Sequence, residues 1–189
     1  YAPSPAWDTS KPYWRTGIEY IGPMERLQLA ETFNKDASVI MCVNMWSYLP
    51  DIDYGKKYTT PITPAQIVKT DSSNVKYIDY SALKTATDDI IDFIRFCTLM
   101  PDDEKATGSD GINWAQRRTE LGHAEPYNID IWELGNELYH RGINGSMYVD
   151  MCKYMIPLIR EVFPDVKLAV HIDATGNSSN WREYVIKNL

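Results

Sequence analysis

The most regular alternation of apolar and polar positions lies at 147–163. There Tyr148, Met151, Cys152, Met155, Ile156, Ile159, Val162 and Phe163 fall on one helical stripe. Pro157 sits inside that stripe and should kink the helix or free one carbonyl. A second stripe at 84–99 collects Thr87, Ile90, Ile91, Ile94, Cys97 and Thr98. PMERLQLAETFNK (23–35) also reads as a helix, with Pro23 suited to its first turn, and NWREYVIKNL (180–189) begins another. Between these helices lie three short apolar runs, ASVIMCV (37–43), NIDIWELGNEL (128–138) and VKLAVHID (166–173). They predict strands, the first and third buried on both faces as in parallel sheets.

Helices therefore alternate with strands, which predicts an α/β fold of right-handed parallel βαβ units. Two architectures satisfy the pattern: a doubly wound sheet, or part of a (β/α)8 TIM barrel. Neither GxGxxG nor GxxxxGK[ST] occurs, so nothing points to a dinucleotide or phosphate site. Residues 1–20, rich in Pro and aromatics, read as a covering loop, and 45–82 as a long insertion broken by Pro50, Pro61 and Pro64. VKYIDY (75–80) fits a short strand inside it. A further strand near Gly17–Ile21 is an open alternative, and 101–128 reads as polar and irregular.

Composition narrows the function classes. The 189 residues are 44% hydrophobic and 24% charged, the balance of a soluble globular chain, and no apolar run approaches the roughly 20 residues of a membrane span. A net charge of -7 disfavours nucleic acid and anionic membrane surfaces, which need a Lys/Arg face, but not a neutral ligand such as a sugar. Three cysteines, Cys42, Cys97 and Cys152, cannot all pair internally and read as small buried hydrophobes. The compartment stays open between cytoplasm, periplasm and secretion. The three histidines lack ligand spacing such as HExxH, and there is no GxSxG elbow, so neither a metal, a cofactor nor a serine nucleophile is expected.

In either architecture, functional groups gather at the C-terminal ends of the strands. The three predicted strands end in Asn44-Met45-Trp46, Gly135-Asn136-Glu137 and His171-Ile172-Asp173. Amides, a carboxylate, an imidazole and an indole at one rim suit carbohydrate. Glu137, closing an apolar strand, would be raised in pKa by burial and could protonate a leaving glycosidic oxygen, then activate water. Asn136 supplies a donor and an acceptor beside it. The competing reading is that Glu137 caps the next helix or pairs with Arg141. His171 fits pocket or core, His123 a loop tie, and His140 a solvated turn. Trp46, Trp7 and Trp14 fit sugar stacking or simple burial.

WELGNE (132–137) resembles the strand-four signature of the clan of retaining glycosidases built on (β/α)8 barrels. Trp114, Arg117, Gly122-His123, Glu125-Pro126-Tyr127-Asn128 and the Phe96-Cys97 pair are together similar to the α-L-arabinofuranosidases of glycoside hydrolase family 51. The resemblance is closest over 85–175. It implies a general acid/base at Glu137, a sugar 2-hydroxyl partner at Asn136, and Asn44 lining the same pocket. The implied activity is cleavage of terminal α-L-arabinofuranosyl bonds in plant polysaccharides. The alternatives are a clan relative acting on glucan, xylan or uronic-acid polymers, or a non-catalytic carbohydrate-binding or scaffold domain.

Two features depart from that family. The insertion at 45–82 is long, and no second carboxylate ends a later apolar strand, although a retaining reaction needs one about 5–5.5 Å from the acid. A barrel takes about 250 residues. The expectation is thus a fragment, 1–189, of a single barrel domain, truncated after the strand-five equivalent and inactive alone. An exposed parallel edge would favour self-association, so a homo-oligomer stays open.

Overall fold

The computed structural model describes residues 23–48, 65–172 and 181–189. The opening loop with Trp7 and Trp14, the strand near 17–21, the middle of the insertion and Asp173 lie outside the described residues. The chain divides into two units, 1–37 with 49–65, and 38–48 with 66–189. Of the first, the described part is Ala65 together with helix α1 (Pro23–Phe33), which starts on its proline as expected, and the turn after it, where Asn34 C=O accepts from Ala37 N–H at 2.8 Å.

The second unit is built on a parallel three-stranded sheet in the order β1-β6-β7. Its strands are β1 (Val39–Val43), β6 (Ile129–Leu134) and β7 (Leu168–Val170). Two-residue strands β2 (Ser47–Tyr48) and β3 (Ala65–Gln66) come between in sequence, followed by an antiparallel hairpin of β4 (Val68–Thr70) and β5 (Lys76–Ile78). Thus the insertion carries strands of its own, including the one expected in VKYIDY. The helices are α2 (Tyr80–Thr98), α3 (Trp114–Glu120), α4 (Gly145–Val162) and α5 (Trp181–Asn188). This is a mixed α/β unit with parallel strands joined through helices.

Register explains which side of the sheet is covered. Met41, Trp132 and Leu168 are level, as are Val43, Leu134 and Val170, so these side chains share one face. Trp132 and Leu134 are buried there, and Phe93 of α2 meets the Trp132 ring edge-on at 5.6 Å. The other face carries Ile40 with Ile131, and Cys42 with Glu133 and Ala169. Ile40 is 62% exposed and Cys42 is exposed. The expectation that β1 is buried on both faces is therefore wrong, as is a buried Cys42. Only Cys97 and Cys152 are buried thiols. Partial burial, then the charge and hydrogen bond of Glu133, push the Cys42 thiol up to about 11.

Local signals set the helix ends. Asp79 caps α2 by accepting from the N–H groups of Ser81 and Ala82, and Asn113 caps α3 through Gln116 N–H. Helix α3 was not legible as one, because its seven residues are mostly polar and one of its three buried side chains is an arginine. Arg118 is wholly buried, and its guanidinium donates to the carbonyls of Phe96, Leu99, His123 and Ala124 at 2.6–3.1 Å. It thereby satisfies carbonyls at the α2 C-terminus that have no partner within the helix. Helix α4 runs through Pro157. Both Pro157 and Lys153, whose carbonyl loses its helical partner, lie on the exposed side, where water can replace the bond.

Candidate active site

Because Val43, Leu134 and Val170 are level, the residues that follow them leave the sheet together. Gly135 N–H donates to Val43 C=O at 3.0 Å, which extends the pairing one residue past β6. Asn44, Asn136, Glu137 and His171 are thus brought to one rim, the C-terminal one. Asn44 is exposed, and its Oδ1 accepts from Trp46 N–H at 2.8 Å, closing a tight turn that carries the chain over buried Met45. Trp46 is half-buried.

The turn after β6 is unusual in its backbone. Gly135 adopts φ +74, and a Cβ there would lie 2.8 Å from Leu138 Cδ1. Glu137 itself adopts φ 49, ψ 37, a left-handed conformation that disfavours any side chain. A short 3-10 turn, Leu138–Arg141, follows and ends at Gly142, also left-handed. Buried Leu138 anchors the turn from below. His140 N–H donates to Glu137 C=O at 3.0 Å, and Lys76 of β5 donates to Gly142 C=O at 3.0 Å. Strain of this kind persists only where neighbours over-determine it, and it clusters at functional positions.

The Glu137 side chain is exposed, not half hidden, so the burial argued from its place after an apolar strand is not met. It also makes no cap to the following turn, and no ion pair with Arg141 occurs among the described residues. Its hydrogen-bond partner there is the Tyr139 hydroxyl, which donates to Oε1 at 3.2 Å. Asn136 is exposed beside it. Both structural alternatives offered for Glu137 are therefore absent.

Behind this turn the strand ends are tied together. The Tyr148 hydroxyl of α4 donates to Leu134 C=O at 2.7 Å and accepts from His171 N–H at 2.7 Å, bridging the ends of β6 and β7. Burial raises the pKa of this phenol, so it stays a neutral donor. Trp181 of α5 stacks on Tyr148 with centroids 5.0 Å apart, and its Nε1 donates to His171 C=O at 3.2 Å. His171 is half-buried, with Nε2 enclosed and unpartnered among the described residues. Sequence reading assigned Tyr148 to the helical core stripe and missed its bridging hydroxyl. Tyr139 gave no sequence signal beyond its place two residues after Glu137.

The remaining histidines behave as structure. His123 holds Glu125 C=O through Nδ1 at 2.7 Å and stacks on Tyr127 at 4.1 Å, the expected loop tie. His140 is exposed on the turn. Among the described residues no group of three or more His, Cys, Asp or Glu could hold a metal, and no helix is long and apolar enough to cross a membrane. An open cleft of about 650 Å³ lies at the opposite end of the sheet, between Ile129, Trp132, Phe163 and Lys167. It does not include Asn44, Trp46, Asn136, Glu137 or His171.

Comparison with curated proteins and with solved structures yields no match. Over residues 4–186, however, the sequence fits the model of the alpha-L-arabinofuranosidase 1 domain, and the chain belongs to that family.

Proposed function

We propose that the chain is part of a retaining glycosidase of the family 51 type, acting on terminal α-L-arabinofuranosyl groups, with Glu137 as its general acid/base. Membership in an arabinofuranosidase domain family supports a glycoside-hydrolase kind of function. The observation that carries the role of Glu137 is its setting: a strained, left-handed residue at the C-terminal rim of a parallel sheet, engaged in neither cap nor ion pair. Three parallel strands joined through helices support placement in a (β/α)8 barrel.

In this reading the proton on Glu137 moves to the glycosidic oxygen as the bond to the anomeric carbon breaks. The ionised carboxylate then takes a proton from the water that releases the sugar. Asn136 binds the 2-hydroxyl, and Asn44 lines the adjoining wall. Trp46 offers an indole face, and the carboxylate acting as nucleophile is left unassigned.

A panel of nitrophenyl glycosides on the full-length protein tests sugar identity. The arabinofuranoside should be cleaved best, and E137Q should lower kcat/KM on arabinofuranosyl oligomers by about 10²–10⁴-fold, and less on the nitrophenyl arabinofuranoside. Preferred cleavage of a glucoside, xyloside or uronide would move the assignment to another member of the clan. The exposure of Glu137 favours a second reading, a binding-only domain. That reading requires isothermal titration with arabinose oligomers to show binding without any turnover.

A further inference from the structure

Tyr139 lies two residues after Glu137, and its ring does not point away from the rim as a solvated turn residue would. It stacks on His171 with centroids 5.9 Å apart and planes 20° apart, and meets Trp181 edge-on at 6.1 Å. His140 lies against it at 4.4 Å. Three rings thus seat it, two of them from the elements at and after the end of β7. Trp181 is itself 2% exposed and bonded to His171 C=O, so the seat is part of the core rather than a surface contact. What this seat fixes is the hydroxyl that donates to Glu137 Oε1 at 3.2 Å.

We propose that Tyr139 is a positioning residue for the acid, and that His171 acts through it rather than by touching sugar. The inference rests on the acid/base reading above and adds a reason why Glu137 presents one particular oxygen. A neutral carboxyl group has one accepting and one protonated oxygen. With Oε1 occupied by the phenol, the proton resides on Oε2, which has no partner among the described residues. When the glycosidic bond breaks, the leaving oxygen takes the bonding pair and the Oε2 proton, and the carboxylate left behind keeps the Tyr139 hydrogen bond. The same donor therefore orients the acid before transfer and stabilises the anion after it. His171 Nε2 is enclosed, which suits a ring that supports Tyr139 and does not suit one that binds a hydroxyl.

The test compares leaving groups in the full-length protein. Dinitrophenoxide departs without proton assistance, whereas the alkoxide of an oligosaccharide needs it. Y139F keeps the ring and removes only the hydroxyl. It should lower kcat/KM on arabinose oligomers by about ten- to hundredfold and leave kcat/KM on the dinitrophenyl arabinofuranoside within about twofold. H171A keeps the hydroxyl but removes its seat and should give the same split to a smaller degree, which guards against misfolding of either variant alone. If E137Q shows the split and Y139F and H171A do not, or lose both substrates equally, the role of Tyr139 is overturned while the acid stands. If E137Q shows no split, the acid/base reading fails and Tyr139 falls with it.

Discussion

At the scale of single residues, the rim is organised by hydroxyls that the sequence did not announce. Tyr148 occupies a helical core position, yet its oxygen joins Leu134 C=O to His171 N–H. Phe at this position would remove the partner of both backbone groups, at about 1–3 kcal/mol for the buried Leu134 C=O and less for the part-buried His171 N–H. Y148F should therefore lower the urea midpoint of the folded protein and reduce activity as well, because β6 and β7 carry the candidate site. A variant as stable as the parent would show that water replaces the phenol. The place of Glu137, Asn136, Asn44 and His171 at the C-terminal rim was legible because strand ends can be read from apolar runs. The exposure of Glu137 was not, since burial depends on what lies above the rim and the run describes only what lies below it.

At the scale of elements, the helices at 84–99 and 147–163 were legible from periodicity, the first helix from its leading proline and the three sheet strands from apolar runs, with ends shifted by a few residues. What failed was the short and the polar. Helix α3 carries its structural role on Arg118, buried against four carbonyls, whereas the residue matched to the family pattern, Arg117, is bound to Glu120 on the surface. Burial lowers the pKa of Arg118 from its ordinary high value but does not discharge it near neutrality. R118M should then cost at least about 2 kcal/mol through orphaned carbonyls, and R117M less than about 0.5 kcal/mol. Thermal denaturation of the pair checks this, and equal losses would contradict the role given to Arg118. The hairpin β4–β5 likewise acts at a distance, since Lys76 reaches the carbonyl end of the turn that carries Glu137.

At the scale of the whole molecule, one face of the sheet is covered, and the other carries exposed Ile40 and Cys42 beside half-buried Ile131, Glu133 and Ala169 among the described residues. Ile40 and Cys42 stand exposed where a barrel would place its interior. An alternating pattern would have revealed this from sequence, but VIMCV is apolar throughout, so it could not show which face lacks cover. Residues 1–189 expressed alone should self-associate through that apolar face, and I40K should shift sedimentation toward monomer. A monomeric parent chain at tens of micromolar would contradict the exposure.

The account depends most on Glu137 lending a proton, and the leaving-group dependence of E137Q measures that directly. With the full-length protein, kcat/KM on arabinofuranosyl oligomers should collapse by about 10²-fold or more, while the dinitrophenyl arabinofuranoside retains most of its bond-breaking rate. Equal losses on both substrates, or none on either, would contradict the claim.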